Sequence, residues 1–553
     1  MTRKKKNTSN KLIKRRIKYF FIIFLLLCTY LIYEIVNLGI LKNEEYESKV
    51  ESQSLETINL NSGRGIIYDR NNLPLTDQKK VKILLVPKDI ISGNYKNVSL
   101  IKQATNLTEE DIYKAVQNQI SNQIIEIEID SIDKSKIDEL KEKNILVKEK
   151  TIRYSDNNLL THLIGYIKKS ENNGVSGIEK YMNDELKDSN KSYVSVFKAG
   201  VNSGGLSYLK GSIEENTNSQ NASHLKLTID SKIQKKLETI MDKEENPSAV
   251  IISNVQTGEI LAMSSRPNFN QNNISAYSNS TNGELQNRAL AVTYPPGSVF
   301  KLVVLYAALE NNVIDENYRY NCTGSIKIGS SNEVLNCNNN EAHGLQDVSD
   351  AFANSCNCAF YDIAKRLGKE KIFEAIKTLH LDEKVDIGID EEKNSKLPED
   401  IALSNLAIGQ ANIEFTPLQI NQLTQIIANN GTYMPLYIYD SLIDNNKNII
   451  KTYKSNKTSE LISPYTMTKI KEMMTKVSKV GTAKLLVDLD GGCGVKTGTA
   501  QSSINGKAMS HGWITGFYPE INSKYAITVI VQGTEKESKS ATPIFKEICE
   551  NLK

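Results

Sequence analysis

Tyr294-Pro-Pro-Gly-Ser-Val-Phe-Lys301 sets a serine at an expected helix start, directly behind a stiff Pro-Pro-Gly lead-in, with a lysine one turn further on. Residues three apart on a helix share a face, so the Lys301 amine lies within reach of the Ser298 hydroxyl. It accepts the serine proton if burial and a neighbouring positive charge lower its pKa. A helix start also leaves the Ser298 N–H available to a developing oxyanion. The tetrapeptide alone says little, because Ser-Val-Phe-Lys occurs again at Ser195–Lys198. There Tyr193, Ser195 and Phe197 alternate as in a strand, which would separate serine from lysine. Only the second copy has two further motifs downstream.

Those motifs are Ser355-Cys-Asn357 and Lys496-Thr-Gly-Thr499. Ser355 and Asn357 flank one residue in an expected turn, where the hydroxyl relays a proton and the amide binds a peptide bond. Lys496 sits on an expected strand facing the serine helix and supplies the positive charge that Lys301 needs. Lys496, Thr497 and Thr499 can hold a carboxylate, Gly498 permits close approach of a ligand to the backbone, and the Thr499 N–H is the second expected oxyanion donor.

Around this set, strands are expected at Ala249–Ser253 and Glu259–Met263 and, near the end, at 493–497, 513–517 and 525–531, with a helix over 231–243 and a last helix after Pro543. Strands at both ends with helices between them fit a sheet closed by a helical insert. A composition shift near Leu225 divides residues 41–224, read as an α+β spacer with strands at 81–87, 124–129 and 192–197, from residues 225–553. In the spacer, 132–143 is expected to be helical, and 171–177 and 212–222 to be loops; folding is expected to begin at Asn61.

The net charge of +3 conceals an asymmetry. Residues 1–33 hold nine Lys or Arg and no acid, so the rest of the chain has 59 basic against 65 acidic side chains. That balance argues against nucleic acid as a partner of the body. The basic segment 1–18 adjoins an apolar run, 19–40, long enough to span a bilayer. Basic residues before it and acids after it (Glu34, Glu44, Glu45) put the N-terminus in the cytoplasm and the body outside, as a retained single-pass signal anchor in the cell membrane.

Taken together, the three motifs, with Arg64-Gly-Ile-Ile-Tyr-Asp-Arg70, Gly165-Tyr166, Gly177-Ile-Glu-Lys180, Thr257–Ala262, Ile408-Gly-Gln410, Thr416-Pro-Leu-Gln419 and Trp513-Ile-Thr-Gly516, resemble the class B penicillin-binding proteins, monofunctional peptidoglycan D,D-transpeptidases. The resemblance implies an N-terminal membrane helix, an elongated α+β pedestal of the dimerisation type, and a penicillin-binding, β-lactamase-like domain built on an antiparallel sheet with a helical subdomain. It implies acylation of Ser298 by a D-Ala-D-Ala stem peptide with release of D-alanine, and resolution by the amine of a second stem. β-Lactams would acylate the same serine, and a SEDS-family glycosyltransferase would be the partner. No glycosyltransferase domain is expected ahead of the pedestal. Valine stands where the family usually has threonine after the serine, a change that removes no catalytic group. A β-lactam hydrolase and a catalytically silent scaffold are the rival readings.

Six of the seven cysteines fall in the second half. Cys322, Cys337, His343 and Cys356 have a spacing that suits a closed tetrahedral zinc site and resembles one in elongation- and sporulation-type class B enzymes. A Cys322–Cys337 disulfide and unlinked buried thiols are the alternatives, and Cys358 and Cys493 are possible substitutes as ligands. Any zinc would be structural, bracing the Ser355–Asn357 turn; the acyl transfer needs no cofactor.

Overall fold

The structure is a computed structural model that describes residues 3–37, 55–91, 95–119, 124–155, 158–187, 191–202, 205–218, 223–315, 317–329, 333–410, 412–453, 460–504, 507–534 and 538–552. The chain divides into two compact units. One comprises Met1–Leu60, Lys82–Glu149 and Ser192–Thr217, and the other Asn61–Val81, Lys150–Lys191 and Asn218–Lys553.

The first unit opens with a helix, Arg3–Val36, within which Ile13–Glu34 is long and apolar enough to cross a membrane. Its Phe20, Phe21 and Ile23 side chains are exposed. The expected span, 19–40, ends on residues 38–40, which lie outside the described ones. Further on, strand Lys79–Pro87 lies between Ile124–Ile129 and Leu146–Ile152. Its pairing with Ile124–Ile129 runs antiparallel from Lys82↔Ile129 to Pro87↔Ile124. Leu84, Val86, Val98, Ile101, Ile112 and Ile125 form the small core beneath helices Tyr95–Ala104 and Glu109–Asn118. The second of these starts where it does because Thr108 and Asp111 cap each other's backbone N–H groups. The stretch expected to be helical over 132–143 begins with a 3-10 turn, Lys134–Lys136, before helix Ile137–Glu142.

A second sheet of this unit orders Leu55–Asn59, Lys191–Asn202 and Gly205–Asn218. Ser195, in the duplicate tetrapeptide, pairs with Thr57 in an antiparallel ladder, as the alternation predicts. Two expectations are corrected here. Strand structure begins at Leu55, before Asn61, and residues 212–218 are strand rather than loop. Ladder bonds use backbone groups whatever the side chains, so a polar composition misread this strand. Residues 219–222 lie outside the described ones.

The second unit is organised by five strands: β1 (Ser248–Asn254), β2 (Ile260–Arg266), β3 (Gly494–Ile504), β4 (Lys507–Tyr518) and β5 (Tyr525–Val531). Their order is β2-β1-β5-β4-β3, antiparallel throughout. β3 is therefore an edge. The helices that matter are α1 (Ser231–Met241), α2 (Lys301–Glu310), α3 (Val348–Ala353), α4 (Asn357–Leu367), α5 (Pro417–Ala428), α6 (Pro464–Lys479) and α7 (Ser538–Asn551). α1 and α7 pack together on the sheet, and α5 and α6 do so as a separate pair. β1 and β5 are thus covered on both faces, which explains their unbroken apolar runs. The last helix takes in Pro543 instead of following it, and β3 and β4 are longer than expected.

α5 is buried along its whole length despite its amides. Each amide has a partner: Gln419 Nε2 donates to Glu383 O (2.7 Å), Asn421 Nδ2 to Ala526 O (3.1 Å), Gln425 Nε2 to Val255 O (2.7 Å) and Gln422 Nε2 to Met434 O (3.1 Å). These bonds fix the helix register, since a one-turn slip would strand all four amides.

Residues 61–81 and 150–191 belong to this same unit. Ile67 pairs in parallel with Leu225, and a buried ionic network ties the segments together. Glu179 receives Arg64 Nε and Arg153 Nε, both at 2.8 Å, and the Tyr154 hydroxyl at 3.0 Å, while Arg153 Nη1 reaches Asp77 Oδ2 at 2.5 Å. The arginine of Arg64-Gly-Ile and the glutamate of Gly177-Ile-Glu are thus each other's partners. Loss of either would leave an uncompensated buried charge, a cost of about 3–5 kcal/mol.

Candidate active site

Pro295 O accepts the indole N–H of Trp513 (2.9 Å), anchoring the Pro-Pro-Gly lead-in on β4. Gly297 has φ +53°, and a Cβ there would lie 2.3 Å from Thr499 O on β3. Its N–H donates to Gly409 O at 2.8 Å, and a Cβ on Gly409 would in turn lie 2.2 Å from Gly297 O. Only glycine fits either position. Ser298 lies in a 3-10 turn, Gly297–Phe300, and α2 begins at Lys301, three residues later than the expected helix start. The tighter turn still brings the two side chains together.

Lys301 Nζ is 3.1 Å from Ser298 Oγ, 2.6 Å from Ser355 O, 3.2 Å from Ser355 Oγ and 2.7 Å from Asn357 Oδ1. An ammonium has three hydrogens for these four partners. A neutral amine also offers three sites, two hydrogens and a lone pair, and that lone pair can accept the Ser298 hydroxyl proton. Lys301 is fully buried, and burial pushes its pKa down to about 8, against an upward pull from the neighbouring thiols of Cys356, Cys337 and Cys358. Lys496 is equally buried and lies 3.0 Å from Ser355 Oγ and 2.8 Å from Thr497 O. Burial, and then the charge of Lys301, hold its pKa well below the usual lysine range. One hydroxyl therefore bridges two buried amines.

Ser355 does this from a left-handed backbone conformation, φ +54°. A non-glycine residue there costs on the order of 1–3 kcal/mol, which the surrounding bonds must hold. Asn357 is the first residue of α4 rather than part of a turn, and its Nδ2 donates to Asn336 O at 3.1 Å. Thr497 Oγ1 meets Thr482 Oγ1 at 2.5 Å. A Cβ on Gly498 would lie 3.0 Å from Pro296 O and from Val299 Cγ2, so this glycine lets the serine turn pack on β3.

Sequence reasoning had no signal for Thr482, which follows α6 and donates its N–H to Ala353 O at 3.2 Å. It had only a resemblance for Gln410, whose Nε2 donates to Thr499 O and whose Oε1 accepts Gln501 N–H, both at 3.2 Å. This side chain closes two outward-facing groups of the β3 edge next to Thr499.

Cys322, Cys337, His343 and Cys356 converge, their ligand atoms all within 4.8 Å of one another. Pairing of Arg319–Cys322 with Gly344–Asp347 carries Cys322 beside His343. Cys337 Sγ is 3.4 Å from His343 Nδ1 and 3.6 Å from Cys356 Sγ. Tetrahedral zinc with usual bond lengths requires edges of about 3.6 Å for S···N and about 3.8 Å for S···S, so the donor set fits. All seven cysteines are free thiols. Cys358 and Cys493 stand outside this group. Cys356 also caps α4, its Sγ accepting Ala359 N–H at 3.4 Å, so the cluster is built into the backbone between Ser355 and Asn357.

A serine–lysine pair on a helical turn beside an edge strand, with a helical subdomain over a five-stranded antiparallel sheet, is the architecture of serine acyl-transfer enzymes that penicillin recognises. Residues 248–550 match the model of the penicillin binding protein transpeptidase domain, and residues 59–222 that of the penicillin-binding protein dimerisation domain. The chain belongs to the penicillin-binding protein transpeptidase family. It is 30% identical to stage V sporulation protein D of Bacillus subtilis, over 82% of this chain and 71% of the relative, and 23% identical to the peptidoglycan D,D-transpeptidase MrdA of Escherichia coli K12, over 79% and 75%. Helicobacter pylori penicillin-binding protein PBP2 shares the fold (TM-score 0.65, 23% identity, 90% of this chain and 98% of that one). A structure of that protein in complex with MreC aligns with TM-score 0.64 at 25% identity, over 90% and 98%.

Proposed function

We propose that the protein is a membrane-anchored peptidoglycan D,D-transpeptidase with Ser298 as its nucleophile. The observation that carries this is Lys301 Nζ at 3.1 Å from Ser298 Oγ, with the lysine buried and its pKa lowered. Neutral Lys301 takes the hydroxyl proton as Oγ attacks the carbonyl of the penultimate D-alanine. The Ser298 and Thr499 N–H groups receive the oxyanion. The proton passes through Ser355 Oγ to the leaving nitrogen, the C–N bond breaks, and D-alanine departs. The amine of a second stem then attacks the acyl carbon, loses its proton along the same path, and releases Ser298. Lys496, Thr497 and Thr499 hold the terminal carboxylate of the donor stem, with Gly498 seating the serine turn against the strand. Asn357 holds its peptide bond. A β-lactam follows the first half of this course and stays on Ser298.

Residues 1–18 lie in the cytoplasm, 19–40 cross the membrane, 41–224 serve as pedestal and 225–553 as transpeptidase domain; nine basic residues ahead of the span support this orientation. Cys322, Cys337, His343 and Cys356 hold a structural zinc ion, which supplies rigidity and no chemical step. A SEDS-family glycosyltransferase provides the glycan strands, and the likeness to stage V sporulation protein D favours a role in sporulation.

Intact-mass spectrometry after benzylpenicillin tests the proposal. One long-lived adduct, mapped to Ser298 and lost in Ser298→Ala, is expected. Rapid turnover of penicillin would make the protein a hydrolase, and absence of any adduct would make it a scaffold.

A further inference from the structure

The helix Arg3–Val36 runs unbroken from the basic segment into the apolar one, so its charges keep a fixed place relative to the span. Lys11, Lys14, Arg15 and Lys18 stand at i, i+3, i+4 and i+7. At about 100° per residue these four positions share one face, within an arc of about 100°. Arg16 and the apolar Ile13 and Ile17 fall on the other side. Orienting a membrane anchor requires only an excess of Lys and Arg on one side of the span, whichever face of the helix carries it. A one-sided stripe is therefore a second feature, over and above the count of charges.

Depth decides what the stripe meets. The apolar run begins at Tyr19. With the rise of an α-helix, Lys18, Arg15 and Lys14 lie about 1.5, 6 and 7.5 Å outside that run along the helix axis. The headgroup layer on each side of a bilayer is about 5–7.5 Å deep, so all three positions fall among the lipid phosphates. Their side chains are exposed, and no acid occurs before Glu34 to neutralise them. An arginine fork takes a phosphate bidentately, and lysines on either side of it add point charge. Lys4, Lys5 and Lys6, by contrast, stand about 20 Å or more from Tyr19, beyond the headgroups by more than the roughly 8 Å over which salt screens a surface charge.

We propose that Lys14, Arg15 and Lys18 form a binding face for anionic phospholipid of the phosphatidylglycerol class, with Lys11 at its outer edge. Such a face rests on the membrane anchorage proposed above, and on neither its orientation nor Ser298. The test titrates full-length protein in detergent micelles with dioleoylphosphatidylglycerol or with dioleoylphosphatidylcholine and counts bound lipid by native mass spectrometry. A basic residue at the surface is worth about fivefold in binding, so the anionic lipid should be preferred by about 10²-fold. Replacing Lys14, Arg15 and Lys18 together by Gln should erase the preference. Replacing Lys4, Lys5 and Lys6 by Gln removes the same charge off the membrane and should leave it intact. Both variants should still take benzylpenicillin on Ser298, which shows that they are folded. Millimolar inorganic phosphate should not displace the lipid. Equal retention of the two lipids, equal losses in the two triple variants, as for an acidic protein partner or a bare charge count, or displacement by free phosphate would each overturn the proposal. Flotation on phosphatidylcholine vesicles reports the anchor by itself, so a protein that floats without selecting the anionic lipid refutes the binding face and leaves the anchor standing.

Discussion

Raising the pH from 6 to 9 should speed acylation of Ser298 as Lys301 gives up its proton. With its pKa at about 8, the neutral amine makes up roughly 1% of molecules at pH 6, roughly 9% at pH 7, half at pH 8 and roughly 90% at pH 9. The sign follows from the role: the base must be unprotonated, and burial lowers the lysine, so rate climbs with pH and levels off above the pKa. The second-order rate constant for benzylpenicillin should therefore rise about tenfold between pH 6 and 7, and about tenfold again between pH 7 and 9. The penicillin carboxylate is ionised throughout, so the profile reports the enzyme. Quenched-flow with intact-mass detection measures it directly. Lys301→Arg keeps a cation that does not titrate in this range; it should lose about 10²–10⁴ in rate, and its profile should lie flat. A flat or falling profile in the wild-type protein would refute Lys301 as the base.

Gly297→Ala places a methyl group 2.3 Å from Thr499 O at φ +53°, so the turn and β3 must part. Denaturant unfolding should show a loss of at least about 2 kcal/mol, with acylation reduced in parallel. Protein purified without chelator should carry one zinc per chain by elemental analysis; Cys322→Ser should lose it and melt at lower temperature, and a native Cys322–Cys337 disulfide would contradict this. Gln410→Ala removes two bonds worth about 0.5–1.5 kcal/mol each at the β3 edge. It should slow acylation roughly tenfold with little change in penicillin pre-equilibrium binding, and an unchanged acylation step would deny Gln410 any part in positioning Thr499.

What could be read from the sequence followed the range of the interactions involved. Lys301 beside Ser298 is a one-turn relation, visible in four residues, and β1 with β2 is a hairpin visible in twenty. The convergence of Ser298, Ser355 and Lys496 was inferred from chemistry, since nothing local joins residues so far apart in the chain. Ser355 at φ +54° had no signal, because serine is not a residue that announces a left-handed backbone; its neighbours hold it there. Thr482 and Gln410 each act through two long-range hydrogen bonds, which leave no periodicity to read. The strand over 205–218 was missed because its polar side chains carry no alternation, and pairing there is a matter of backbone alone.

The two lysines acquire their meaning from the serine between them. Two buried ammonium groups bridged by one hydroxyl repel each other in a medium that screens poorly, so the pair sheds a proton more readily than either would alone and titrates as a unit. On the proposed mechanism, a donor stem or a penicillin brings its carboxylate to the Lys496 side, and the nearby negative charge draws the remaining proton there. Lys301 is left neutral at the moment its partner carbonyl arrives. Binding of the carboxylate and activation of the nucleophile are then one electrostatic event, transmitted through Ser355 Oγ. This accounts for the strained backbone at Ser355, since its carbonyl and hydroxyl must both face Lys301 while the hydroxyl also reaches Lys496. It accounts too for the thiol at Cys356, which caps α4 on one side and joins the cysteine–histidine cluster on the other, holding that strained residue from behind.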